Sequence, residues 1–213
     1  YNADLAYTPM ILAASFIASP IVRNQEFQTC VAEDRQRLVV QFAADCPETF
    51  AKAAALVADH VYAVDLNCGC PQRWAIQEGI GSALLRDIPL MCAMVAAAKT
   101  AVAGRCHISV KVRLLEERGA VAVNRTAEMV KELAASGASW VTVHGRTARQ
   151  RPSDPVDYQA IAEIKARSPI PIIANGDIFS AEDAHRVVEL TGVDGVMAAR
   201  GLLIDPSLFT EGP

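Results

Sequence analysis

Asn67, Cys68, Gly69, Cys70 and Pro71 follow directly on an apolar run at 61–66. A thiol held between a glycine and a proline sits on a tight turn with little freedom. Such a turn presents a side chain into a pocket better than it packs one. The plainer alternative is a pair of buried structural cysteines, since free cysteine is usually buried and inert. What weighs against it is a pattern repeated along the chain, in which apolar runs end in a polar or charged residue. In order these are Gln41, Asn67 with Cys70, Lys111 and Arg113, His144 with Arg146, Asn175-Gly176-Asp177, and Arg200-Gly201. Each has a bland reading alone: Gln41 as a strand cap, Lys111 snorkelling, His144 as a satisfied core histidine, Asn-Gly-Asp as a turn. Six such coincidences at strand ends are far less probable than one.

The elements that must position these groups can be read from periodicity. Strand-length apolar runs occupy 5–10, 38–42, 61–66, 108–112, 140–143, 170–174 and 195–198, continuous in character as expected of parallel strands covered on both faces. Alanine-rich amphipathic stretches at 48–58, 91–103, 126–135, 158–166 and 181–190 alternate with them. Ser180 before Glu182 and Asp183 marks a helix start, and Gly137 and Gly192 mark helix ends. Alternating strand and helix imply βαβ units with right-handed crossovers. Seven strands and no GxGxxG after the first point to an α/β fold of the (β/α)8 TIM-barrel type, partial here, with a further strand expected upstream. The whole of 1–213 then reads as one barrel domain.

In such a barrel the site lies at the C-terminal ends of the strands, and the loops after the last two strands commonly take a phosphate. Gly176 and Gly201 are expected to let backbone approach a ligand, a helix start after Gly201 favours an anion, and Lys111 adds a cation. A phosphate-bearing planar cofactor fits this rim, and FMN is the natural candidate where no dinucleotide fingerprint exists.

Composition narrows the alternatives. A chain of 213 residues with 52% hydrophobic and 21% charged residues has the balance of a globular α/β protein, not of a disordered or fibrous one. No apolar run reaches the roughly 18 residues of a membrane span. A net charge of −4 argues against non-specific polyanion binding but leaves a local basic face open. Six cysteines could make a disulfide set in a small secreted protein, but this chain is too large and too rich in core residues to need one, and neither they nor the four scattered histidines have zinc spacing. No metal is expected, and a reduced, cytoplasmic setting is.

The run Asp65-Leu-Asn-Cys-Gly-Cys-Pro-Gln-Arg-Trp74, followed by Gly79-Ile-Gly-Ser-Ala-Leu-Leu85, resembles the tRNA-dihydrouridine synthases. So do Val110-Lys-Val-Arg113, Val143-His-Gly-Arg-Thr147, Ala174-Asn-Gly-Asp-Ile178 and Ala199-Arg-Gly-Leu202. With Tyr7-Thr-Pro-Met10, the Cys-Gly-Cys-Pro-Gln-Arg-Trp form is similar to the eukaryotic branch acting on D-loop positions 20a and 20b. The resemblance implies an FMN-dependent oxidoreductase that uses NADPH to reduce the C5=C6 bond of a tRNA uridine, in the cytoplasm with the nucleus as alternative. It implies Cys70 as proton donor to C5 and Asn67 as the residue positioning uracil. Gln41, Lys111, His144, Asn175, Gly176, Asp177, Ala199 and Arg200 would contact the flavin, and Cys68 would be a packing thiol.

An extruded base costs a few kcal/mol, which the pocket must recover, while phosphate contacts supply much of the affinity. Arg146 and Arg113, with Arg73, Arg149 and Arg151, lie in or beside rim loops and are candidate tRNA contacts; a solvated charge run is the alternative for Arg149 and Arg151. Trp74 either stacks on RNA or packs under the catalytic loop. Two departures from the family pattern stand out. Its Ala-Pro-Met first strand is missing, since Thr8-Pro9-Met10 matches the second strand, and a C-terminal helical domain lies outside the sequence, so the chain alone is expected to be inactive. Two other readings stay open: a non-catalytic tRNA-binding fragment, and a small-molecule FMN barrel of the dihydroorotate dehydrogenase kind.

Overall fold

The computed structural model describes residues 3–116 and 119–210. Its strands are β1 (Ala6–Tyr7), β2 (Ile11–Leu12), β3 (Leu38–Ala43), β4 (Ala63–Cys68), β5 (His107–Leu114), β6 (Trp140–Thr147), β7 (Ile172–Asn175) and β8 (Gly195–Met197). All pair in parallel in the order β1-β3-β4-β5-β6-β7-β8, with β2 also on β3. The result is the curled sheet of a partial (β/α)8 barrel, and no pairing joins β8 to β1 among the described residues.

The first expected strand, 5–10, is strand only at Ala6–Tyr7, and a second short strand, Ile11–Leu12, follows just beyond it. Tyr7 pairs with Val39 but Ile11 with Phe42, so three residues face two and the chain bulges at Thr8-Pro9-Met10. Pro9 has no N–H for the ladder. Thr8 compensates, its Oγ1 accepting the Gln41 N–H at 3.1 Å.

Three short helices, α1 (Ala13–Ala18), α2 (Pro20–Glu26) and α3 (Val31–Asp34), fill the stretch before β3. The longer helices are α4 (Pro47–Val57), α6 (Ile88–Val102), α7 (Ala120–Ala135), α8 (Tyr158–Lys165) and α9 (Ala181–Thr191), with short α5 (Arg73–Gln77) and α10 (Arg200–Ile204) and a 3₁₀ turn at Gly81–Arg86. Helix α6 starts earlier than its apolar pattern suggests because Asp87 caps it, accepting the Leu90 N–H at 3.0 Å, with Pro89 in the first turn. Ser180 caps α9 by accepting from Asp183, and Gly192 ends that helix at φ 66°. No helix among the described residues is long and apolar enough to cross a membrane.

The sheet has two unlike faces. Val40, Phe42, Val64, Leu66, Val110, Val112, Val141 and Val143 belong to one buried cluster with Phe50, Met91, Met94, Val130 and Ile161 of the helices. Each such large side chain contributes about 1.5–3 kcal/mol on burial. The alternate positions carry Gln41, Asp65, Asn67, Ser109, Lys111, Thr142, His144 and Asn175, a polar set that rises towards the C-terminal ends of the strands. At the opposite end this face closes on Val39, Ala63 and Trp140, packed by Tyr7, Tyr62 and Ile173.

Candidate active site

The turn after β4 is built around one side chain. Asn67 Oδ1 accepts the backbone N–H of both Gly69 (3.1 Å) and Cys70 (2.9 Å), which folds the chain back and fixes where Cys70 sits. The Cys70 carbonyl accepts the Ser82 N–H at 2.9 Å, so the 3₁₀ turn buttresses it. Gly81 makes that approach possible: at φ 63°, an added Cβ would lie 2.7 Å from the Cys70 carbonyl oxygen. From the neighbouring strand Arg113 donates Nε to the Gly69 carbonyl (2.8 Å) and Nη1 to that of Thr147 (2.9 Å), tying this loop to the one after β6. Cys70 is half-buried, whereas Cys68 is fully buried and burial, with Asp65 nearby, pushes its thiol well up. Cys68 is therefore a packing group.

Beneath the turn runs a chain of buried polar groups. Asn67 Nδ2 donates to Gln41 Oε1 (2.7 Å), Gln41 Nε2 to Asp65 Oδ2 (2.8 Å), and Ser109 Oγ to Asp65 Oδ1 (2.6 Å). Asn67 lies in register with Lys111, whose Nζ donates to Asn175 Oδ1 at 2.8 Å, and Asn175 Nδ2 donates to the Met197 carbonyl. Desolvation pulls the Lys111 ammonium down to about 8, with Arg113 adding to the effect and Asp65 and Cys70 opposing it.

Cations gather on the far side. Desolvation first, then Arg113, Lys111, Arg146 and Arg200, drive the His144 imidazole down to about 3, so it is neutral at working pH. Its Nε2 lies 3.4 Å from Arg146 Nη1; arginine only donates, so Nε2 accepts and the ring proton is on Nδ1. Asp177, at φ 49°, grips Arg146 bidentately and takes Arg200 Nη2 at 2.8 Å, while the Arg200 guanidinium also lies over the Phe179 ring. Gly176 has φ 127°, and a Cβ there would meet Val156 at 2.8 Å and His144 at 3.2 Å.

The structure thus brings Gln41, Asn67, Cys70, Lys111, His144, Asn175, Gly176, Asp177 and Arg200 to one rim, with Ala199 capping α10. Two expectations need correction. Arg146 is only 1% exposed and donates to Asp177, His144 and the Asp154 carbonyl, so it ties rim residues together instead of reaching for a substrate. Gly201 is needed for protein packing: a Cβ there would lie 2.3 Å from the Ile178 carbonyl oxygen. Arg149 is exposed, as both of its readings require, and meets Glu116 through its backbone N–H at 3.0 Å and its Nε at 3.4 Å. Trp74, 40% exposed on α5, is not packed beneath the loop. Sequence reasoning missed Asp65 and Ser109 as site residues. Their signal was available, since an acid and a hydroxyl inside apolar strand runs must be partnered.

The class reached so far is a partial parallel (β/α)8 barrel that gathers a half-buried thiol and several cations at its strand ends. Within that class the chain belongs to the dihydrouridine synthase family, whose model matches residues 1–212. A Mus musculus protein named tRNA-dihydrouridine(20a/20b) synthase-like is 43% identical over 210 residues, 98% of this chain and 62% of its own length. The tRNA-dihydrouridine(20a/20b) synthase of Schizosaccharomyces pombe is 42% identical over 209 residues, 98% of this chain and 62% of its own. The chain thus spans less than two thirds of the length of these relatives. Among solved structures, a variant of NCR from Zymomonas mobilis shares the fold at 13% identity and TM-score 0.57, covering 83% of this chain and 62% of that one.

Proposed function

We propose that the protein reduces the C5=C6 bond of a uridine in the tRNA D-loop, at 20a or 20b, with FMN as cofactor and NADPH as reductant, and that residues 1–213 are its FMN-binding catalytic barrel, working in the cytoplasm. The observation that carries this reading is the Cys70 turn, folded on Asn67 and standing in register beside Lys111 on a rim of donors.

The donor set suits FMN. Lys111 and Arg200 offer positive charge to a phosphate or an electron-rich ring, neutral His144 offers Nδ1–H, and Gln41 and Asn67 each keep one amide N–H beyond the bonds already made. FMN, when bound, would supply hydride for C6 of the uracil and be recharged by NADPH. The residues of this chain do the rest. Asn67 offers its spare N–H to a uracil carbonyl while its Oδ1 holds the turn. Cys70 Sγ gives its proton to C5 as C6 is reduced, which leaves a C5–C6 single bond and a thiolate to be reprotonated from solvent. Relatives named as tRNA-dihydrouridine synthases support the RNA substrate, and an acidic chain with this many cations at one rim supports an anionic partner.

The test is an absorbance spectrum of the purified protein, then NADPH and unmodified tRNA in turn. A flavin band that bleaches with NADPH and recovers with tRNA is expected. Cys70→Ala should keep the band and the bleaching but lose most dihydrouridine. Absence of flavin after reconstitution would refute the assignment and leave an RNA-binding protein.

A further inference from the structure

The chain of buried amides under the Cys70 turn has a direction, and one residue sets it. A carboxylate only accepts hydrogen bonds, whereas an amide presents an acceptor at one end and donors at the other. Asp65 therefore obliges Gln41 to face it with Nε2. That leaves Gln41 Oε1 as acceptor, which obliges Asn67 to turn Nδ2 towards it. Only then does Asn67 direct Oδ1 at the N–H groups of Gly69 and Cys70. Reverse the root and each amide turns over, until a donor meets two donors at the turn.

We propose that Asp65 is a positioning residue: as an acceptor-only root it fixes the orientation of Gln41 and Asn67, and so holds the turn that carries Cys70. The geometric part stands on this chain alone; its consequence for uridine reduction rests on the function proposed above.

Asp65 has no solvent exposure, and its second oxygen accepts from Ser109. Burial lifts its carboxyl to about 6, while its bonds from Ser109 and Gln41 and the charge of Lys111 pull the other way. A protonated carboxyl can donate, so the root loses its single polarity as pH falls through about 6. The groups around it do not titrate in that range: Lys111 loses its charge near 8, Tyr7 and Cys68 are pushed upward by burial, and His144 is neutral down to about 3.

The experiment is alkylation of the purified protein by iodoacetamide, with Cys70 and exposed Cys30 quantified separately by peptide mass spectrometry and expressed as a ratio. Asp65→Asn can offer Gln41 either an oxygen or an NH₂, so a fraction of its molecules loses the acceptor at the turn. At pH 7.5 the ratio should rise about fivefold over the parent, the factor that one net hydrogen bond of ordinary strength is worth. At pH 5 parent and variant should converge, because the parent's root is then protonated. The parent measured alone should show the same rise from pH 7.5 to pH 5, which keeps the test sound if the variant does not fold. A difference that is the same at both pH values, or no difference at all, overturns the proposal. Dihydrouridine formation by Asp65→Asn, with flavin occupancy read in parallel, is the second arm. A raised alkylation ratio without any dihydrouridine in the parent would leave the positioning role intact and refute the reaction instead.

Discussion

Replacing Arg146 by methionine separates a brace from a substrate contact. The guanidinium is 1% exposed and makes a bidentate pair with Asp177, a bond to the Asp154 carbonyl at 2.7 Å and a contact with His144. Removing one partner of a buried pair costs about 3–5 kcal/mol. Asp177 is one-third exposed and keeps Arg200, so the lower end, about 3 kcal/mol, applies. For a domain of this size that lowers Tm by roughly 6–12 °C. Differential scanning calorimetry should show this fall, together with weaker retention of flavin as the 175–177 loop loosens. Affinity for tRNA, measured by filter binding well below the new Tm, should change less than about threefold, since a side chain this deep meets no phosphate. An unchanged Tm with a tenfold loss of tRNA affinity would show that Arg146 faces the RNA after all.

Three further outcomes follow from the same geometry. The Lys111 ammonium, depressed to about 8, is charged below that pH and neutral above it, so affinity for the anionic cofactor should fall as pH rises through 8; Lys111→Arg keeps its charge and should flatten the profile in a flavin titration. Gly81→Ala puts a Cβ against the Cys70 carbonyl at a left-handed φ and should cost about 2–4 kcal/mol, lowering dihydrouridine formation more than flavin occupancy. Asp65→Asn should raise stability while it disturbs the turn: with its carboxyl lifted from 3.8 to about 6, the buried charge costs the fold up to about 3 kcal/mol at pH 7 and nothing below pH 4. Urea midpoints at pH 7 and pH 4 read this directly, and a variant less stable than the parent at pH 7 would sink that reasoning.

How far this architecture can be read from the chain depends on which signals are local. Strand and helix alternation is local, and β3 to β8 with the five longer helices stand where periodicity put them, apart from their ends. The break between β1 and β2 is not, because Pro9 alone does not say whether a strand ends or bulges; that is decided by Thr8 finding the Gln41 N–H thirty-three residues away. Continuous apolar runs describe only one face of these strands. Gln41, Asp65, Asn67, Ser109 and Lys111 alternate with valine and leucine, and these polar positions form the site side of the sheet. Candidate rim residues are legible because strand ends are; the place of Arg146 is not, because an arginine near the end of β6 gives no hint of the Asp177 that it pairs with. The Asp65 relay was the least legible of all. It lies inside β4, one pleat repeat before Asn67, and its effect is to choose between two orientations of the same amides. A carboxylate that burial has made so costly to keep charged must be held by what it orients, and here that is the path from Gln41 through Asn67 to Cys70.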